Sequence, residues 1–274
     1  MKKMFVFLIF ALLITTFSCG HAMQNGEKAD VIIKTAQGDI RIKLYDKTAA
    51  HKKNYEKLIQ ENFFDGLLFH RVIKNFMIQG GDPDSRNAQL GERLGGGSLD
   101  YTLPAEIIPE YFHKWGAVAA ARRGDASNPE KRSSSSQFYI VQGRVFSHGE
   151  LDTLEMVKNQ QIFNDKMRDQ ILSVQEEMQQ YRDQNDRDGF NLKMAEIREK
   201  VDSIMEVQGI KFRFTKEQRQ IYTTVGGYPS LDGDYTVFGE VVEGMEVVDK
   251  ISEVDTDQND RPIQDIQMKI DWIK

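Results

Sequence analysis

Phe69-His70-Arg71-Val72-Ile73-Lys74-Asn75-Phe76-Met77-Ile78-Gln79-Gly80-Gly81-Asp82-Pro83, answered farther along by Ser136-Gln137-Phe138-Tyr139-Ile140-Val141, sets one arginine among apolar and amide side chains. Arginine stays ionised at physiological pH and presents a rigid fork of donors, so grouping it with Phe76, Met77, Phe138 and Tyr139 predicts an apolar pocket with one strong hydrogen-bond donor. Such a pocket suits the grip of a peptide. The runs around 68–73, 77–80 and 138–141 are short, β-branched or aromatic, and bounded by Asn or Gly, which reads as strands joined by tight turns.

Working outward, Val31-Ile32-Ile33-Lys34-Thr35 and Ile40-Arg41-Ile42-Lys43-Leu44-Tyr45 flank Ala36-Gln37-Gly38-Asp39. The second run alternates apolar with charged residues, as a half-buried strand does, so the pair predicts an opening hairpin. Between 48 and 60, Tyr55, Leu58 and Ile59 fall at helical spacing among polar residues and predict a short amphipathic helix. Further strands are expected at 115–120 and 237–240, a second helix at 245–251 and a closing strand at 266–273. Many short strands with Gly-rich turns favour a barrel or a sandwich.

Residues 149–225 break this pattern, because Gly and Pro nearly vanish while Gln, Glu, Lys and Met rise. Phe163, Met167, Ile171, Val174, Met178 and Tyr181 recur at spacings of four and three. Phe190, Met194, Ile197, Val201 and Ile204 repeat the stripe after Asp188-Gly189, so two antiparallel helices packed stripe to stripe are expected, the first about thirty residues and roughly 45 Å long. Thr215-Lys216-Glu217-Gln218 has the side chains of a capping box and predicts a third, shorter helix.

At the other end, Lys2 and Lys3 precede the apolar run 4–13, and Ser18-Cys19-Gly20 follows. That is the layout of an export signal, too short for a membrane span. Cys19, the only cysteine, rules out an intramolecular disulfide. Its position resembles a bacterial lipoprotein processing site, and the mature chain is expected to start at a lipidated Cys19; Thr16 departs from the usual Leu, and Gly20-His21-Ala22 offers an ordinary signal-peptidase site as the alternative. The expected organisation is a signal peptide at 1–18, a tether at 19–29, a barrel in two parts at 30–148 and 226–274, and a helical insertion at 149–225. A net charge of −6 argues against a phosphate-backbone binder, so nucleic acid is excluded as a partner class.

The two quoted segments together resemble the active-site signature of cyclophilins, the peptidyl-prolyl cis-trans isomerases, and Leu231-Asp232-Gly233-Asp234-Tyr235-Thr236-Val237-Phe238-Gly239 extends the match. The resemblance covers 30–143 and 227–274. It implies a mainly β fold, an eight-stranded antiparallel closed barrel capped by two helices, with the helical hairpin inserted. It also implies that Arg71 is the catalytic donor, with Gln79 beside it, and that Phe76, Met77, Tyr139, Leu231 and Phe238 line a proline pocket. Gln79 and Gln137 would bind substrate amides and orient Arg71, Ala121 and Arg122 would contact residues before the proline, and Tyr235 takes the place of a common histidine at the pocket edge. Ser230 stands where many eukaryotic members carry tryptophan, Tyr139 replaces a phenylalanine, and residues 84–94 enlarge a loop. Loss of the tryptophan implies weak cyclosporin binding.

The chemistry fits this assignment. Rotation about the bond before proline breaks no covalent bond, so neither metal nor cofactor is expected. The barrier of about 18–20 kcal/mol comes from amide resonance, and the twisted amide regains a nitrogen lone pair that a fixed donor can stabilise. His70 has no carboxylate or second ligand nearby and reads as structural. Ser133 to Ser136 lack a base or elbow motif and read as a flexible loop, and Gly80-Gly81 and Gly95-Gly96-Gly97 read as turns. The leading expectation is an exported isomerase that assists folding of cell-envelope proteins, acting on proline-containing polypeptides from a periplasmic lipid anchor in the outer membrane, with a soluble periplasmic or secreted form as the alternative location. The competing expectation is a non-catalytic proline-binding module or holdase chaperone that uses the Met-rich arm.

Overall fold

The computed structural model describes residues 28–273, so the expected export signal, Cys19 and most of the tether lie outside the described residues. The described chain opens with β1 (Val31–Thr35), β2 (Gly38–Leu44), α1 (Ala49–Gln60), β3 (Leu67–Ile73) and β4 (Met77–Gly80). It continues with β5 (Thr102–Leu103), β6 (Ala117–Ala120), β7 (Ser133–Ser134) and β8 (Phe138–Val141). Four helices follow: α2 (His148–Ser173), α3 (Gln175–Asp183), α4 (Arg187–Val207) and α5 (Lys216–Thr224). The chain closes with β9 (Val237–Glu243), α6 (Met245–Ser252) and β10 (Gln267–Trp272).

Eight strands form a closed antiparallel barrel in the order β1-β10-β3-β4-β8-β6-β9-β2, with β2 returning to β1. Alternation sets its inside: Ile40, Ile42 and Leu44 of β2 are buried in the interior cluster with Ile33, Phe69, Ile78, Val118, Ile140 and Phe238. The apolar faces of α1 (Tyr55, Leu58, Ile59) and α6 (Val247, Val248, Ile251) pack into the same cluster and close it. Thr48, at the N-cap of α1, makes no side-chain cap; Glu106 instead accepts from the backbone N–H groups of Ala50 and His51, each at 3.0 Å. A carboxylate from a distant loop therefore supplies the acceptor that a helix N-terminus requires.

The stripes read from the sequence do pack on each other. Phe163, Met167, Ile171, Met178 and Tyr181 meet Phe190, Met194, Ile197 and Val201, and the guanidinium groups of Arg182 and Arg198 lie over Phe190 and Phe163 on the opposite helix. These pairings run antiparallel. One expectation is corrected: the first arm is two helices, 26 and 9 residues long, interrupted at Val174, where neither Gly nor Pro marks the break. The Thr215 capping box is present, with Thr215 accepting from the Gln218 N–H and Gln218 accepting from the Thr215 N–H. A matching box joins Ser147 and Glu150 at the start of α2.

A second correction concerns the serines. Ser133 and Ser134 pair with Leu103 and Thr102 as β7 and β5, and Ser133, Ser135 and Ser136 are buried, so this segment is an ordered wall rather than a flexible loop. Asn54 of α1 holds it by donating to the Ser135 carbonyl at 2.6 Å.

Candidate functional site

Register builds the site. Arg71 lies opposite Gln79, Gln79 opposite Tyr139, and Tyr139 opposite Ala119, across β3, β4, β8 and β6. Directly opposed residues project from the same face of a sheet, and this row is offset by one from the interior row Val72, Ile78, Ile140, Val118. The row therefore lies on the outer wall of the barrel. Two residues along, Met77 stands opposite Val141 on the same outer face, and the turn at Asn75 (φ 60°) brings Phe76 beside them. Of these, Arg71, Phe76, Met77, Gln79 and Tyr139 line a cavity of about 550 Å³ together with Arg93, Leu94, Ala121, Arg122, Leu231 and Tyr235.

Most of the expected site residues thus meet in one place. Phe238 does not. It is 1 % exposed inside the barrel, stacked on Tyr55 with ring centroids 4.4 Å apart, while its neighbour Val237 faces outward with Met77 and Tyr139. A register shift between Val118 and Ala119 aligns Ala119 with Val237 and fixes this parity, so Phe238 is core and not pocket wall.

The polar groups have defined partners. Arg71 is held by Asp260, Nε to Oδ2 at 3.4 Å, and its two Nη groups have no hydrogen-bond partner among the described residues. Gln79 Nε2 donates to Gln137 Oε1 at 3.0 Å, and Gln137 Nε2 donates to the carbonyls of Gly97 (2.7 Å) and Gly95 (3.2 Å). Neither glutamine orients Arg71, which corrects that expectation. Gln137, 5 % exposed and engaged at both ends, braces Gln79 and the Gly95–Gly97 segment from the edge of a second groove. That groove shares Gln79, Gly95, Gly96, Ala121 and Arg122 with the first cavity, so the two are continuous. Arg122 donates through Nε to the Asp234 carbonyl at 2.6 Å, pairs with Asp125, and lies over the Tyr235 ring at 4.5 Å, so it builds the rim.

Below the cavity, Gly81 takes φ 86°, and a Cβ there would sit 2.2 Å from the Ser136 carbonyl oxygen; only glycine lets the end of β4 come this close to the chain entering β8. Asp82, fully buried, accepts from the Gly95 N–H and the Asp84 N–H and so shapes the enlarged loop. Arg261, 3 % exposed, pins that loop from the other side through the carbonyls of Gln89 and Glu92. Sequence reading missed Asp260 and Arg261, both in a turn far from either motif; the only local signal was the Asp257-to-Arg261 run of turn-forming residues.

The titratable groups nearby are set by burial. His70, 2 % exposed and with neither ring nitrogen hydrogen-bonded among the described residues, has its pKa lowered to about 4 by desolvation, only partly opposed by Asp82. It is neutral, and Arg71 is the charged member of the pair. The Tyr139 phenol is pushed up by burial and keeps its proton. Among the described residues no group of three or more His, Cys, Asp or Glu is gathered as for a metal ion. The arrangement offers an apolar seat, a cation with a free donor end, and a continuous groove beside the seat for an extended chain.

Three kinds of comparison bear on this geometry. The family model for cyclophilin type peptidyl-prolyl cis-trans isomerases matches residues 30–270. A provisionally named peptidyl-prolyl cis-trans isomerase of Staphylococcus saprophyticus is 26% identical over 88% of this chain and 90% of that protein. A bifunctional phosphatase/peptidyl-prolyl cis-trans isomerase of Streptococcus pyogenes, also provisionally named, is 27% identical over 89% of this chain, which spans only 38% of that longer protein. In fold, the chain resembles a cyclophilin type isomerase of Cryptosporidium parvum, with a TM-score of 0.50 and 19% identity over 90% of this chain and 98% of that one. The same protein has been solved in the presence of the dipeptide Ala-Pro.

Proposed function

The chain belongs to the cyclophilin-type peptidyl-prolyl cis-trans isomerases, and from that premise we propose that it turns X-Pro bonds by seating the proline ring against Phe76, Met77 and Tyr139 while Arg71 donates to the amide nitrogen. The observation that carries this reading is the row Arg71, Gln79, Tyr139 on adjacent strands, with Arg71 lining the same cavity as the apolar residues. In the planar ground state the nitrogen lone pair is delocalised and accepts poorly. As the bond twists, the lone pair localises on nitrogen, and a donor already fixed there stabilises the transition state more than the ground state.

Asp260 holds Arg71 through Nε and leaves the Nη end for substrate. Gln79, with its amide nitrogen committed to Gln137, keeps Oε1 as an acceptor for a substrate N–H. Leu231 and Tyr235 close the far side of the proline seat, and Ala121 at the junction of the two grooves meets the residues before proline. The decisive experiment is the exchange rate of a short Ala-Pro peptide with the chain lacking its export signal. Arg71→Ala should reduce the acceleration by about 10²-fold or more, the usual effect of removing one transition-state donor. An undiminished rate would remove Arg71 from the mechanism.

The cellular role we propose is assistance to folding polypeptides in the cell envelope, from a lipid anchor at Cys19 in the outer membrane. Its support is the sequence of the first twenty residues, a basic start, an apolar run and Ser18-Cys19-Gly20. Membrane fractionation of the full-length chain against Cys19→Ser tests it: retention of the variant with the membrane would refute the anchor.

A further inference from the structure

Tyr139 carries a hydroxyl that proline binding does not use. It lies 3.0 Å from His113 Nε2, His113 Nδ1 lies 2.8 Å from Asp232 Oδ1, and Asp232 Oδ2 accepts from the Tyr222 hydroxyl at 2.6 Å. His113, Asp232 and Tyr222 are 1 %, 6 % and 0 % exposed. For a neutral imidazole, donor parity sets the direction of the chain. The carboxylate only accepts, taking the Tyr222 O–H, the His113 backbone N–H at 2.9 Å and the Nδ1–H, and Nε2 then accepts from the Tyr139 hydroxyl.

Tyr222 belongs to α5, inside the helical insertion, where Leu151, Phe214 and Tyr222 pack on Phe112 and Phe146. A second tie from the insertion reaches the same loop. Lys158 of α2 donates to the Asp232 carbonyl and pairs with Asp234 at 3.5 Å, and the Asp234 carbonyl receives Arg122 from the pocket rim. Leu231 and Tyr235, two walls of the cavity, bracket the gripped residues.

We propose that the helical insertion sets the geometry of the proline pocket through this buried chain, with Tyr222 and Asp232 as positioning residues for the Tyr139 ring. The inference rests on the cavity being the proline site. Its consequence is that the insertion is part of the isomerase and not a detachable arm. A ring whose hydroxyl is tethered cannot tilt into the cavity without leaving His113 unpaired in a buried site, so loosening the far end of the chain blurs the pocket wall.

The test is a double-substitution cycle on the full chain lacking only its export signal, with Ala-Pro peptide exchange as readout. Tyr222→Phe should lower kcat/KM by about 3- to 10-fold when residue 139 is tyrosine, the scale of one buried hydrogen bond. In a Tyr139→Phe background, where no hydroxyl remains to be held, Tyr222→Phe should change kcat/KM by less than about 1.5-fold. Equal losses in both backgrounds would mark Tyr222 as merely structural, and no loss in either would remove the coupling; both overturn the proposal.

Should Tyr222→Phe fail to fold, the unsubstituted chain decides. The His113 imidazole should carry its proton on Nδ1, with Nε2 in the acceptor range of ¹⁵N shifts, and both resonances should move on saturation with an Ala-Pro peptide. A proton on Nε2 alone, or no response to the peptide, overturns the chain. A parent protein that binds no proline peptide refutes the site reading and this inference with it, whereas an active parent with an uncoupled Tyr222 refutes this inference alone.

Discussion

His70→Leu should remove a defined part of this protein's acid sensitivity. In the unfolded chain the imidazole titrates near 6.5, and in the fold burial lowers it to about 4. Between those values the unfolded state binds a proton that the folded state refuses, so stability rises with pH across that window. The contribution is complete above about pH 6.5, falls away as the pH drops, and has nothing left to lose below about 4. At about 1.4 kcal/mol per tenfold change, the whole effect is ~3 kcal/mol, of which ~2 kcal/mol lies between about pH 7.5 and pH 5.

Urea unfolding of parent and variant at those two pH values isolates the term, because the carboxylates and His51 titrate in both proteins and cancel in the difference. Leucine nearly matches the imidazole in volume, so the comparison is of slopes with pH and not of absolute stabilities. Parallel losses in the two proteins, agreeing within about 0.5 kcal/mol, would refute burial as the cause and put the imidazole in contact with water or a partner. The same measurement bears on the site, since a protonated His70 would set a second cation next to Arg71.

Asp260→Gly keeps the positive φ of 62° that this turn requires while deleting the carboxylate behind Arg71. The pair is half exposed, so its loss should lower kcat by about 2- to 5-fold with KM little changed, the scale of a partly screened ion pair, and the gap should narrow at high salt. An unchanged kcat would separate Asp260 from the orientation of Arg71. Ser147→Ala removes the first half of the capping box at the base of the insertion and should destabilise the fold by about 1 kcal/mol; a melting temperature equal to the parent's would show that tertiary packing alone holds α2.

Much of this structure was legible in the chain because the informative contacts were local. Ile40, Ile42 and Leu44 declare their strand by alternation, Thr215 and Gln218 declare a helix start, and Arg71, Met77 and Gln79 lie on two strands joined by one tight turn. The two arm stripes were readable for the same reason, since period and partner lie in one hairpin. What escaped depends on contacts between distant segments. Val237, Phe238 and Gly239 are all buried, so alternation alone cannot say which faces inward; the register shift on β6 decides. Asp260 reaches Arg71 only after β10 has closed the barrel against β3. The serine run looked like a linker because serine favours loops, and its burial follows from a two-strand pairing and an asparagine from α1, neither encoded nearby.

The row Arg71, Gln79, Tyr139 stands on the outside of a wall with no free edge, while the lumen is filled by Phe69, Phe138, Phe238 and their neighbours. A client chain has nothing to thread. It can be approached sideways, at any proline along its length, and no free terminus is required. Such a surface is open to a proline in the loop of a protein that has already folded most of its structure, where collapse has hidden the chain ends.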